Sequence, residues 1–358
     1  MFPYYPAPGK NPQTEFYAPL IWTDPVLFHV TLQLSAFRLE RLYPRRGSSQ
    51  SHRLHTESLR LLRERFEGSP GTSACDQTIS AVAGLAAIEH EKGNMRIVQM
   101  HMNGLHRMLV VRGGINAIRR SNAMVANIVF CMFIAADEPF PEIDTHTDEV
   151  KPQWYRNVLP LVEQRPYVDL EACGVSSEFA AVMKDIRLLA QCYRTADDTE
   201  SAEEYLSVLT FLCSSMQRIL SLPLPTTEDS RVINVTKACR SAMILHVFSQ
   251  WCGHQPDPSI MVSAAQHSLK CSLRPLMLQG TGNSLLLWLL SCGAIASRGA
   301  PERTWFIGHL AAMVEEMGIE SWAEMRKNLM GIVWHEIQDE DTHRIVWEDV
   351  ESMQNQRI

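Results

Sequence analysis

From Thr23 to the C-terminus the apolar residues recur every three or four positions, in blocks closed by glycine or proline, and nowhere settle into period-two alternation with β-branched enrichment. A three-to-four spacing lays an apolar stripe along a helix of 3.6 residues per turn, whereas a half-buried strand needs alternation. The chain is therefore expected to be all-α, a large multi-helix layered bundle of antiparallel helices. Its organisation is read as an extended Pro- and Tyr-rich lead-in over residues 1–22, followed by one helical body over 23–358 with a waist at 138–175. The lead-in carries Pro3, Pro6, Pro8, Pro12 and Pro19, and proline removes the N–H that a helix interior needs.

The punctuation places the elements. Thr23-Asp24-Pro25 reads as a capped helix start, with Val26, Leu27, Val30, Leu34 and Phe37 following at helical spacing until Pro44. A second helix is expected over His52–Phe66, stopping at Gly68. Asp76 is read as the cap of a helix running to Gly93-Asn94. The next helix carries Ile97 to Leu109 and ends at Gly113-Gly114, and an almost wholly apolar one holds Val125 to Phe133. Residues 138–175 hold five prolines and many acids and read as an exposed connector. Helices resume over Ser177–Arg194, Ser201–Leu220, Ile233–Trp251, Leu285–Ser297, Glu302–Met317 and Trp322–Ile337, with a last one from Thr342. Ser201 with Glu204, and Ser321 with Glu324, have capping-box spacing.

Charge and cysteine usage narrow the function. The net charge of −7 repels phosphate and so opposes nonspecific binding to DNA or anionic membrane. Residues 1–74 run against the trend, with nine Lys/Arg against six Asp/Glu. Arg38, Arg41, Arg45, Arg46, Arg53, Arg60, Arg63 and Arg65 are interleaved with leucines there, as on the salt-bridged wet faces of two helices; a nucleic-acid patch is the other reading. The nine cysteines are scattered, the closest two lying 13 apart, and no C-x-x-C occurs. They read as small buried hydrophobes in a reducing compartment, cytosol or nucleus. The apolar runs Ala123–Ala136 and Ser284–Ala296 have 14 residues or fewer, against about 20 needed to cross a bilayer. Both read as core helices.

Enzyme motifs do not assemble. Gly280-Thr281-Gly282 lacks the third glycine of a dinucleotide loop and no strand precedes it. His335-Glu336-Ile337-Gln338-Asp339 follows a zincin helix until aspartate replaces the second histidine. His52 and His55 share a helix face, whereas His101 and His106 do not face one another. No catalytic residue, metal ligand or cofactor is assigned. Arg112, before the double glycine, is read as capping the carbonyls of its own helix rather than holding a ligand.

Two segments carry more than background: Ala81–Gly114, with its paired G-N and R-G-G turns, and Leu285–Trp347, with Trp288, Trp305, Trp322, Trp334 and Trp347. In combination they resemble the fungal-specific transcription factor domain, over roughly residues 75–358. In many relatives that domain is the long regulatory region behind an N-terminal binuclear zinc cluster. A cluster needs six cysteines with two C-x-x-C pairs, and this sequence contains none. The resemblance implies a nuclear, pathway-specific regulator of transcription, with secondary metabolism as its expected field. Such a regulator would act through protein partners or an apolar small-molecule ligand, touching DNA only indirectly. The partners expected are a zinc-cluster factor or a second copy of the chain. A scaffold or dimer mate, and a helical biosynthetic enzyme, are the alternatives. The residues themselves add that Gly104 and the small residues Ala83, Gly84, Ala86 and Ala87 permit close helix approach, and that the tryptophans join helix pairs.

Overall fold

Asp24 and Pro25 start the first long helix as their chemistry dictates. The Asp24 carboxylate accepts the Leu27 N–H at 2.9 Å, and its other oxygen meets Arg65 at 2.6 Å. The structure, a computed structural model, describes residues 11–43, 50–68, 73–136, 153–196, 201–251, 260–278, 283–335 and 339–355. Among these residues the regular structure is entirely helical, without a strand, in agreement with the all-α expectation. The chain forms two compact units. One comprises Tyr5–Glu149 with Glu200–Cys213, the other Val150–Thr199 with Ser214–Ile358.

The first unit contains a π-helical turn, Gln13–Tyr17, and the helices α1 (Ala18–Thr23), α2 (Pro25–Leu42), α3 (Gln50–Gly68), α4 (Asp76–Glu91), α5 (Met95–Val111), α6 (Ile115–Ser121) and α7 (Ala123–Ala136). Helix α4 lies at its centre, packed against α2, α5 and α7. Its small side chains allow this: Ala81, Ala83 and Ala86 are fully buried. A Cβ on Gly84 would lie 2.7 Å from Val30 Cγ1, so α2 approaches where the glycine leaves room. The turns after α4 and α5 are built alike. Gly93 and Gly113 have φ of 76° and 81°, a region open to glycine at no steric cost. The N–H groups of Asn94 and Gly114 then reach back to the carbonyls of Glu89 and Leu109 at 2.9 and 2.8 Å, satisfying helix-end acceptors.

The second unit holds α8 (Gln153–Glu163), α9 (Ser177–Ala196), the end of α10 (Ala202–Ser221), α11 (Ser230–Trp251), α12 (Ile260–Met277), α13 (Ser284–Ala296), α14 (Glu302–Glu316), α15 (Trp322–Met330) and α16 (Asp339–Asn355). Helix α13 is the hub, touching α11, α12, α14, α15 and α16. Every residue from Leu285 to Ala294 is buried, and each leucine withdrawn from water stabilises the unit by about 1.5–3 kcal/mol. Helix α14 approaches so closely that a Cβ on Gly293 would fall 2.2 Å from the Phe306 ring.

Five expectations need correction. The lead-in is helical from Gln13 onward. Pro12 sits at the cap of the π-turn and Pro19 in the first turn of α1, where a missing N–H costs nothing; residues 1–10 lie outside the described set. The connector contains α8, because Trp154, Tyr155, Val158 and Val162 form one buried face while Pro160 stays on the exposed one. Asp76 is the first residue of α4 rather than its cap, a position held by Cys75. Helix α15 ends at Met330 and not at Ile337, because the following carbonyls are claimed by other partners. Helices α6 and α12 went unread. In α12, Lys270, Arg274 and the internal Pro275 obscure an apolar face of Ala265, Leu269, Leu273 and Leu276.

Candidate functional site

A concentration of polar chemistry in the core of the second unit grows from the segment that follows α15. Residues Ile332–His335 are buried yet non-helical, so their backbone must find partners elsewhere. Val168 N–H donates to the Gly331 carbonyl at 2.9 Å. Arg187 Nε on α9 donates to the Ile332 carbonyl at 2.6 Å. The Arg187 guanidinium also lies 4.1 Å from the centroid of the Tyr167 ring. Burial pulls this arginine down to about 10, so its charge is held by carbonyls and an aromatic face.

Trp334 follows, with 1% exposure, and gathers the rest of the site. His343 of α16 stacks on it, the ring centroids 5.5 Å apart and the planes 29° from parallel. Trp322 is tilted against it at 6.4 Å, and the Arg326 guanidinium covers it at 5.4 Å. Glu340 ties α15 to α16 by accepting the Trp322 indole N–H at 2.9 Å and Arg326 Nε at 2.6 Å. Burial alone would raise the Glu340 carboxyl, but these two hydrogen bonds outweigh it and hold the group below the usual carboxylate range.

His246 of α11 completes the centre, 5.8 Å from the Trp288 ring of α13. Burial drives both His246 and His343 down to about 3, and the nearby His343 and His335 add to the effect on His246. Two neutral imidazoles therefore sit at the core at physiological pH, beside indole N–H groups of Trp288 and Trp334 that meet no acceptor among the described residues. The cluster joins side chains of four helices, α11, α13, α15 and α16. Among the described residues no group of three or more His, Cys, Asp or Glu is placed to hold a metal ion.

The remaining sequence signals are dispersed. His335 is buried at this centre, and Glu336–Gln338 lie outside the described residues. Gly280–Gly282 lie outside them too. His52 is exposed while His55 contacts Gln33 at 3.0 Å. His101 is buried, and His106 stands edge-on to Phe133. Arg112 is the C-cap of α5, its backbone N–H reaching the Met108 and Val110 carbonyls, while its side chain leaves the helix. Its guanidinium donates to the Ala74 carbonyl at 3.0 Å and Ser121 Oγ at 3.1 Å, and pairs with Asp76 at 2.8 Å. The Cys131 thiol on α7 takes a hydrogen bond from Cys213 of α10, which lowers it from 9.0 to about 7. A cleft of about 360 Å³, open to solvent, is lined by Leu276, Met277, Leu286, His309, Met313 and Glu316. A second of about 290 Å³ lies beside Cys173, Arg231 and Val235.

The family profile of the fungal specific transcription factor domain matches residues 1–357. The chain belongs to that family. No curated protein and no solved structure matches it significantly. As a fungal-specific transcription factor domain it stands among transcription regulators, in a regulatory rather than a known enzyme family. The match extends the resemblance, drawn over residues 75–358, to α1–α3. Of the tryptophans that carried the resemblance, Trp288, Trp334 and Trp347 are core residues, and Trp322 meets Trp334. Sequence reasoning missed Arg187, Tyr167 and the convergence of His246 with His343. These residues come from distant positions, and no local spacing announces them. No described helix is long and apolar enough to cross a membrane.

Proposed function

We propose that this fungal-specific transcription factor domain regulates transcription in the nucleus by docking protein partners, without itself reading DNA sequence. The observation that carries the reading is the family match over residues 1–357 combined with the ion pairs of four of the eight N-terminal arginines. Arg38 and Arg41 pair with Glu91, Arg60 with Glu57 and Glu64, and Arg65 with Asp24. Cations neutralised in this way have little left for phosphate, which sheds its condensed counterions only when free Lys and Arg neutralise it. The net charge of −7 works in the same direction. Partner docking is favoured over gating by a small molecule because the two clefts, about 360 and 290 Å³ with open solvent included, fall at the low end of ligand sites.

The test is a tethered reporter. The full chain is fused to a heterologous DNA-binding domain in a fungal host, and transcription from the cognate promoter is measured. A change of several-fold in either direction supports the reading, the sign showing activation or repression. A reporter that responds no differently from the DNA-binding domain alone overturns it.

A further inference from the structure

Helix α5 departs from the electrostatics of the rest of the chain. From Met95 to Ser121, across α5 and α6, there are five arginines and no aspartate or glutamate, in a protein of net charge −7. One side of α5 packs on α4 and α7. The opposite side carries Arg96, Met100, Asn103, Arg107, Val110 and Val111, all exposed. At 100° per residue these fall within an arc of about 100°, along roughly 22 Å of helix. Met100, Val110 and Val111 are 61%, 79% and 73% exposed. Arg96 and Arg107 form no ion pair among the described residues, in contrast to Arg38, Arg60 and Arg65 of α2 and α3.

Gly104 adds an independent observation. It lies mid-helix and half-buried at the edge of this face, beside Val111 on the helical wheel, and a Cβ built there meets nothing among the described residues within 4 Å. Its φ is not positive either, unlike that of Gly93 or Gly113. Glycine inside a helix costs about 1 kcal/mol relative to alanine, and no neighbour among the described residues requires it. Gly84 shows the contrast, since there α2 fills the space that a Cβ would take.

We infer that the exposed face of α5 is a docking surface for an acidic amphipathic helix of a partner protein, which crosses α5 at Gly104. The match is one of charge and period. Carboxylates on the incoming helix meet Arg96 and Arg107, apolar side chains cover Met100, Val110 and Val111, and the bare backbone at Gly104 admits a close crossing. A duplex fits this face poorly. Two free cations about 16 Å apart give few phosphate contacts, and exposed Met and Val side chains offer phosphate nothing.

This inference rests on the partner-docking reading above and is tested separately from it. The probe is a labelled 18-residue peptide with leucines at helical spacing and two glutamates eleven positions apart, titrated into the full chain by fluorescence anisotropy. Saturable binding is expected, weakened at least tenfold by R96E/R107E and by G104L. The charge-matched R53E/R63E on exposed positions of α3 should leave it within twofold. G104A should raise the melting temperature by about 2–4 °C. Four results would each overturn the inference: no binding, equal binding of a scrambled peptide, equal loss in R53E/R63E, or tighter binding of duplex DNA or phosphatidylserine vesicles. A G104A protein that melts lower would do the same. The reporter separates the two readings, because a failed peptide titration beside an intact reporter response removes only this surface.

Discussion

Lowering the pH should destabilise the second unit well before its carboxylates are protonated. His246 and His343 have pKa values of about 3 in the fold, against about 6.5 in an unfolded chain. Between those values the unfolded state binds one more proton per histidine than the folded state. The neutral imidazoles therefore contribute their full stability above about pH 6.5 and lose it as pH falls towards 3. The slope is about 1.4 kcal/mol per pH unit for each group. At pH 5 the loss comes to about 2 kcal/mol per histidine, or about 4 kcal/mol for the pair, a large part of a typical domain's 5–15 kcal/mol. Seven of the eight tryptophans lie in this unit, so intrinsic fluorescence reports its unfolding. Urea titrations of wild type and H343F at pH 7.5, 6 and 5 isolate the effect. Phenylalanine keeps a ring on Trp334 but takes up no proton, so the variant should lose stability less steeply, by about 1.4 kcal/mol per pH unit. Glu340, the carboxylate that faces His343, is held low in both proteins by Arg326 and Trp322 and cancels in the difference. Identical slopes for the two proteins would refute the reasoning.

Three further outcomes follow from the packing. G293A should cost about 1–3 kcal/mol or more, because the new methyl would overlap the fully buried Phe306 ring; thermal unfolding checks this, and F306L should restore part of the loss. D24A removes both the cap of α2 and the partner of Arg65, and should cost about 1–2 kcal/mol by the same assay. Cys131, lowered to about 7 by its hydrogen bond from Cys213, should be alkylated by iodoacetamide at pH 7 faster than the buried Cys239, whose thiol burial pushes up to about 12, since the thiolate is the nucleophile. C213A should slow that reaction, and equal rates in the two proteins would contradict the assignment.

Much of the fold was legible because its signals are local. Asp24-Pro25, Gly93, Gly113-Gly114 and Ser321 each act within one turn of the chain, and the structure uses them where the pattern put them. Ser321 caps α15, though Glu324 reaches back to the Glu320 N–H rather than to that of Ser321. Helix α8 was hidden because prolines and acids crowd its neighbourhood, while four buried aromatic and aliphatic residues outweigh them. The end of α15 was hidden because tertiary partners decide it: Val168 and Arg187 take the carbonyls that a longer helix would have used. The core histidines were illegible for the same reason, since His246 and His343 lie 97 residues apart in sequence. The α5 face could have been found by scanning for stretches without acids.

The claim that transcriptional control runs through docked proteins is tested most directly by presenting the full chain with a pool of randomised DNA duplexes and sequencing what it retains after repeated selection. Retention should be weak, lost between 50 and 200 mM salt as phosphate-only contacts are, and without an enriched motif. A reproducible motif that survives the higher salt would mean that the protein reads DNA itself.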